Sequence, residues 1–397
     1  MGKTRLLLLT LACVLGLACG NAQTSQFKLF QINTWYEGDK VTNSYLYLAN
    51  AIADMNPDVV TMCELHKGSN KIIDYLQKQL KSRGLNYYQA QVSGRGVLSK
   101  YPIAQTVTVN QWMFGVVLQY NDTTKIAVYP AHSEYRWYSC YYPRGYGDGG
   151  VLSWDMMSKP ITDVNKILEV NAKSDRVTSA KTFVNTSASQ LAANIPVILA
   201  GDLNEPSCLD WTERQKDLYG HNGCVVPWQT STYLLGEGFS DAYRVVHPDE
   251  IKNPGITWPT YNKKAKLEDL AWAAEADERD RIDYVYYKST DKNTLKAIDA
   301  KIVGPAGTVV CGEGEDDAPT DDLVRYELWP SDHRGVLVTF ELNAGDSGVT
   351  AVKANKTVAH TSYYDMNGKR VANPQQGLYV EVARYTDGTI GARKVAK

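Results

Sequence analysis

A chain of 397 residues has room for one large domain, a smaller one and an ample core. Its 44% hydrophobic and 22% charged residues are those of an ordinary soluble globule, and the formal net charge of −2 carries no electrostatic footprint of a nucleic-acid binder. The 26 Tyr and 9 Trp against 6 Phe give most aromatic side chains a polar handle, suited to clefts and interfaces as well as to cores.

Lys3 and Arg5 precede an apolar run from Leu6 to Ala18, too short to span a bilayer and apt as a signal-peptide core. Cleavage after Ala22, behind Gly20-Asn-Ala22, is favoured over lipidation at Cys19, because Gly16 stands where Leu is usual. Loss of a 1–22 leader removes two positive charges and leaves −4. No later segment is apolar and long enough to cross a membrane, so a secreted or cell-surface protein is expected. Cys63, Cys140, Cys208, Cys224 and Cys311 follow the leader; Cys208 and Cys224 flank a loop-like stretch and are the candidate disulfide.

Phe27 to Asn33 reads as a first strand ending on an amide. Thr42-Asn43 are placed to cap a helix to about Met55, which Pro57 stops. Val59 to Cys63 is the next strand and delivers Glu64 at its end; Ser69 is placed to cap a second helix, terminated by Gly84. From Tyr87 to Val128 the pattern is strand-rich, with a hairpin across Asn121-Asp122 and His132 just after the strand Ile126-Ala-Val-Tyr.

Residues 133–160 are a long aromatic, Gly- and Pro-rich stretch, more in keeping with a functional loop than with disorder. A helix from about Asp175 to Ala192 leads into Pro196-Val-Ile-Leu-Ala-Gly-Asp202-Leu-Asn204, a buried strand ending in an acid and an amide. Gly201 there lets the backbone come close to a ligand. Arg281-Ile-Asp283-Tyr-Val is a further strand, Glu313 to Asp322 an acidic solvated loop with a remote calcium-site reading, and Ser331-Asp332-His333 precedes a last strand, Val336 to Phe340. A linker at 343–350 separates a catalytic domain at 23–342 from a β-rich tail at 351–397.

Asn33, Glu64, His132, Asp202, Asn204, Asp283, Asp332 and His333 thus all fall at or beside ends of apolar β-like runs. If those ends converge on one sheet edge, they pool oxygen donors for a hard divalent cation, Mg²⁺ first with Mn²⁺ or Ca²⁺ as substitutes, beside a phosphate. Gln31-Ile-Asn33, Asp58-Val-Val-Thr-Met-Cys-Glu64, Gly96-Val-Leu-Ser-Lys-Tyr-Pro-Ile103, Ala131-His132-Ser133, Ile198 to Asn204, Arg281 to Val285 and Ser331 to His333 resemble, in order, the motifs of the endonuclease/exonuclease/phosphatase superfamily. Cys63 departs from the Gln usual before the metal-binding Glu.

The bare pattern favours a mixed α/β fold. The resemblance implies a four-layered α/β sandwich of two packed mixed β-sheets flanked by helices. It also implies a metal-dependent phosphoric ester hydrolase. Glu64, Asn33 and Asp332 would hold the cation, and Asp283 would orient His333. His333 or Asp202 would be the base, a choice the sequence leaves open. Asn204 and His132 would donate to the phosphoryl oxygens.

For substrate, Arg136, Tyr142, Arg144 and Trp258 offer guanidinium groups and aromatic faces to a compact phosphoester, a lipid head group among them. Cleavage of nucleic acid is the alternative, disfavoured by charge, and a degenerate binding module is the reading from another class. A monomer is expected. Tyr363-Tyr-Asp-Met-Asn-Gly-Lys-Arg-Val371 and Gly377-Leu-Tyr-Val-Glu-Val resemble the C-terminal sorting domains of exported Bacteroidetes proteins, with an Asn-Gly turn between strands.

Overall fold

A computed structural model describes residues 23–66, 68–345, 358–364, 370–386 and 390–397. The leader and the Asn367-Gly368 turn lie outside the described residues. Residues 21–345 form one compact unit and the tail belongs to another.

Walking the chain, β1 (Gln23–Asn33), β2 (Val59–Cys63), β3 (Tyr88–Val92) and β4 (Arg95–Ser99) start a first sheet, with α1 (Ser44–Met55) and α2 (Lys71–Ser82) between them. The next strands make a second sheet: β5 (Ile103–Thr108), β6 (Phe114–Gln119), β7 (Lys125–His132), β8 (Val197–Asp202), β9 (Ser240–Asp241) and β10 (Asp283–Lys288). Its helices are α3 (Val164–Asn171), α4 (Arg176–Ala192), α5 (Gln229–Gly236) and the short α6 (Ala242–Val246). The chain then returns to the first sheet through β11 (Asn293–Gly304), β14 (Leu323–Arg325) and β15 (Gly335–Ala344), with the small pair β12 (Gly307–Val310) and β13 (Glu313–Asp316) in between. The first sheet runs β14-β11-β15-β1-β2-β4-β3 and the second β5-β6-β7-β8-β10-β9. In the tail, β16 (Val358–Tyr364), β17 (Arg370–Val371), β18 (Leu378–Tyr385) and β19 (Ile390–Ala396) form their own sheet, ordered β17-β16-β18-β19.

Three apolar layers follow from the period-two alternation of side chains along each strand. Phe27 and Leu29 of β1 meet Val128 of β7, Ile198 of β8 and Val285 of β10 between the sheets. Phe30 and Ile32 of β1 face the other way, onto Leu48 and Ile52 of α1 and Ile72 and Leu76 of α2. On the far side, Leu199 of β8 and Tyr286 of β10 pack with Ala180 and Phe183 of α4 and Leu234 of α5. Each such side chain, taken fully out of water, contributes about 1.5–3 kcal/mol, enough to set which face of every strand is inward. The fold is a four-layered α/β sandwich of two mixed sheets with helices outside, and a small C-terminal β module is present.

Several local expectations change. Asn43 sits at φ 63 without a side-chain cap, and α2 starts after Asn70. The orphan amide of Ile72 in the first turn of α2 donates instead to the buried carboxylate of Glu37 at 3.0 Å. Part of the acidic run is strand β13 paired to β12, because the backbone of Gly307–Val310 offers it a partner. Two of that run's acids have protein partners, Asp317 in Arg334 Nη2 at 2.6 Å and Asp322 in Tyr243 and Asn253. Cys208 and Cys224 are free thiols, Cys224 donating to Thr162 O at 3.6 Å. β15 continues to Ala344, two residues past the expected boundary, since it pairs with β1 up to Gln23↔Ala344.

Candidate active site

The two sheets are in contact through inner faces that are apolar along most of their length and polar at one end. On β1 the inward series runs Phe27, Leu29, Gln31, Asn33; on β8 it runs Ile198, Ala200, Asp202. β1 and β2 are parallel, pairing Asn33 with Cys63, and β7 and β8 are parallel, pairing His132 with Asp202. β10 and β15 run against them, so their beginnings reach the same end: Asp283 pairs with Asp202, and Asp332-His333 lie just before β15. The strand ends expected to converge therefore do so, half from each sheet.

Gly201 serves this convergence differently from the expectation. A Cβ there would lie 2.0 Å from Ala131 O, so the glycine lets β8 approach the β7 backbone, not a ligand.

Asn33 is at the centre. Its Nδ2 is 3.0 Å from Glu64 Oε1, 3.0 Å from Asp202 Oδ2 and 3.3 Å from His333 Nε2, and its Oδ1 accepts from Trp35 N at 2.9 Å. Its Nδ2 thus stands as a donor between the two acids. Glu64, itself at φ 57, receives Tyr36 N on Oε2 at 2.8 Å. Tyr36 belongs to a left-handed run, Trp35, Tyr36 and Glu37 at φ 49, 52 and 57 followed by Gly38 at φ 77. Such a run persists only where surrounding contacts hold it. Here Glu37 N donates to Glu64 O at 2.7 Å, and the Glu37 carboxylate accepts from His66 N and Ile72 N.

His333 Nδ1 is 2.8 Å from Asp283 Oδ2, and Gln31 Nε2 donates to Asp283 Oδ1 at 3.0 Å. Thr257 Oγ1 accepts from the amides of Ile282 and Asp283. With the proton on Nδ1, His333 turns Nε2 to Asn33 and, at 3.9 Å, to Asp202 and Asp332. Asp202 Oδ1 accepts from Asn204 N at 2.8 Å, and its Oδ2 lies 3.8 Å from His132 Nε2. Asn204, at φ 48, has turned off the strand and donates through Nδ2 to Ser133 O.

Negative charge accumulates here. Burial and then the neighbouring Asp283 push Asp202 up to about 6, and burial with Glu64 pushes Asp332 up to about 7. Burial opposes the charged form of His333, but Asp283, Asp332 and Asp202 outweigh it and raise the imidazole to about 10. Glu64, His132 and Asp202 bring one donor atom each to within 4.8 Å of one another, and Asp202, Asp283 and His333 do the same. Crowded carboxylates whose protonation is favoured by mutual repulsion suit a hard divalent cation, so the donor set fits one.

Glu64, His132, Asp202, Asn204, Asp332 and His333 form the floor of a cavity of about 510 Å³, with Asn33 and Asp283 behind it. Its walls are aromatic: Trp35, Tyr36, Trp112, Tyr135, Tyr138, Tyr141, Trp154, Trp258 and Trp272. Tyr138, Cys140, Tyr141, Tyr142 and Tyr146 of the 133–160 stretch fold into a separate core with Trp211, Trp228 and Ile282, and Trp154 packs against Trp272 at 5.1 Å and Tyr141 at 6.0 Å.

Three of the four expected substrate contacts do not line this cavity. Arg136 is exposed and held bidentately by Glu134 at 2.9 and 3.0 Å. Arg144 is buried, with Nη1 on Asp280 at 2.6 Å and its other nitrogens on carbonyls of Tyr219 and Arg279. Tyr142 is buried on Asp148. Trp258 does line it, donating through Nε1 to Asp332 Oδ2 at 3.1 Å. Sequence reading missed Gln31 and Thr257 behind the His333–Asp283 pair, and Arg95 in the wall. For Gln31 the inward alternation with Asn33 was the available signal.

The profile of the Endonuclease/Exonuclease/phosphatase family matches residues 30–333, from the middle of β1 to His333. The chain belongs to that family. Members of the endonuclease/exonuclease/phosphatase family are phosphoric ester hydrolases that use divalent metals, and this chain is such a hydrolase. An uncharacterized protein of Caenorhabditis elegans is 27% identical over 289 residues, covering 71% of this chain and 84% of its own length. A family member of known structure from Leptotrichia buccalis is similar at 17% identity and a TM-score of 0.45, over 79% of this chain and 99% of that one. Another, from Beutenbergia cavernae, is 15% identical with a TM-score of 0.43, over 94% of this chain and 81% of that one.

Proposed function

We propose that the protein is an exported hydrolase of a compact phosphodiester or phosphomonoester, a lipid head group among the substrates, acting by attack of water on phosphorus. The observation that carries this reading is the cavity itself, with three carboxylates and two histidines on its floor and nine Trp and Tyr side chains around it. A long duplex needs a row of cations to neutralise its phosphates. Among the described residues the cavity lining offers one arginine and no lysine, and the whole chain has a net charge of −2.

In this reading Glu64 and Asp332 hold the cation, which when bound offsets charge developing on the phosphoryl oxygens. Asn33 keeps Glu64 and Asp202 in fixed positions. Asp283 locks the His333 tautomer and leaves Nε2 facing the cavity. Asp202, raised toward neutrality by burial and Asp283, has its Oδ2 between His132 and His333 and is suited to take the proton of the attacking water. His132 and Asn204 then flank the transferred phosphoryl group.

The test is a substrate panel with Mg²⁺: bis-p-nitrophenyl phosphate, sphingomyelin, inositol phosphates, RNA and plasmid DNA. Turnover of a small ester is expected to fall by about two to four orders of magnitude in His333→Ala and Asp202→Ala while the circular dichroism stays that of the parent. Full activity after exhaustive chelation refutes the metal. Nicking of plasmid with no turnover of small esters reverses the substrate choice.

A further inference from the structure

Among the described residues six arginines are buried; five of them make two or more side-chain hydrogen bonds, although Arg176 Nε, like Arg95 Nε, has no partner. Arg144 binds Asp280, Arg244 binds Asp210, Arg281 binds Asp210 and Asp241, Arg334 binds Asp317, and Arg176 donates to three carbonyls and Asn171 Oδ1. Arg95 is the exception. At 4% exposure its guanidinium makes one hydrogen bond, Nη2 to Gln111 O at 2.6 Å, its Nε has no partner, and no carboxylate among the described residues lies within ion-pair distance. A buried guanidinium left this way is costly unless something outside the protein completes it.

Its position says what that could be. Met62 pairs with Gly96, and Leu65 N donates to Gly94 O at 2.9 Å, so Arg95 stands beside Glu64. Alternation along β4 puts Arg95 on the same inner face as Val97, making it the site-end residue of β4 as Asn33 is of β1. Its acceptor Gln111 precedes Trp112, whose carbonyl receives His132 N at 2.9 Å, so Arg95 and His132 share one wall. Arg95 is the single Arg or Lys among the described residues lining the cavity. A guanidinium presents paired N–H groups that match phosphate oxygens, which neither the acids nor the aromatics of this cavity can do.

We propose that Arg95 binds an anionic phosphate oxygen of the substrate on the Glu64–His132 side of the cavity. This rests on the phosphoesterase reading. The oxygen belongs either to the scissile phosphate or to a second phosphate of the same substrate.

The experiment uses the full-length protein with Mg²⁺ and measures inorganic phosphate binding by calorimetry, together with kcat and KM for bis-p-nitrophenyl phosphate and for an inositol bisphosphate. Arg95→Gln is expected to weaken phosphate binding about tenfold or more, the loss of a charge-assisted hydrogen bond, and to raise KM more than it lowers kcat. A rise in KM for both esters assigns the scissile phosphate; a rise for the bisphosphate alone assigns the second one. Arg95→Lys keeps the charge without the fork and should lose a few-fold in phosphate affinity, which serves if Arg95→Gln does not fold. Phosphate affinity equal to the parent's in the folded variants, or no phosphate binding by the parent, overturns the proposal. A parent that binds phosphate but hydrolyses none of the esters counts against the phosphoesterase reading instead.

Discussion

At the scale of single residues, the floor of the site is a balance of charges that burial makes tense. Asp202 and Asp332 are raised from 3.8 to about 6 and about 7, so the folded protein holds protons there that the unfolded chain has released. Their contribution to stability is complete below about pH 4 and is lost as pH rises through 6 and 7. In chelator the protein is therefore expected to lose stability from pH 4 to 7, and Asp332→Asn, which cannot ionise, to lose less. Urea melts of the two proteins across that range check this, and parallel pH profiles refute it. Mg²⁺ should flatten the parent's profile, because a bound cation favours the deprotonated acids. The acids and histidines were legible in the sequence because each ends an apolar run, and alternation tells which way a strand-end side chain points. The arginines were not legible. Arg136 is claimed by Glu134 two residues before it, and Arg144 by Asp280, which only the fold brings near. Arg95 carries no mark of its own in the sequence, since its want of a partner depends on what lies across the seam.

Among elements, the left-handed turn after β1 is the part that fixes Glu64. Gly38, at φ 77, is its last member, and a Cβ there would lie 2.4 Å from Ser44 Oγ and 2.6 Å from Ser44 Cβ at the start of α1. Gly38→Ala is thus strained in its backbone and crowded as well. It should destabilise the protein by about 1–3 kcal/mol and, by loosening the Tyr36 and Glu37 amides from Glu64, raise the Mg²⁺ concentration needed for half-maximal activity. Thermal melts and a Mg²⁺ titration read the two effects. A variant that melts lower with unchanged Mg²⁺ dependence would separate the turn from the metal. The two helices before β3 were legible from apolar spacing, but their starts were not. Asn43 and Ser69 had the right chemistry for caps, yet the amide of Ile72 is served by Glu37, some 35 residues earlier in the chain. No local pattern reports a cap delivered by tertiary structure.

For the whole molecule, the tail strands pair among themselves and the chain from 21 to 345 is a compact unit of its own. A protein ending at Gly345 is expected to keep the parent's kcat on a small ester and the melting midpoint of the catalytic unit. A truncated chain that is insoluble or inactive would make the tail part of that unit. The sandwich was legible at this scale only as alternating strands and helices plus a family likeness, because strand order is a long-range matter. The first sheet illustrates the point: its strands come from the two ends of the catalytic chain, with the second sheet made entirely in between. β15, the last of them to be synthesised, lies in the interior between β11 and β1. Until it emerges, β11 and β1 have no strand between them to join them, and the Asp332-His333 pair just before β15 lacks the strand that anchors it.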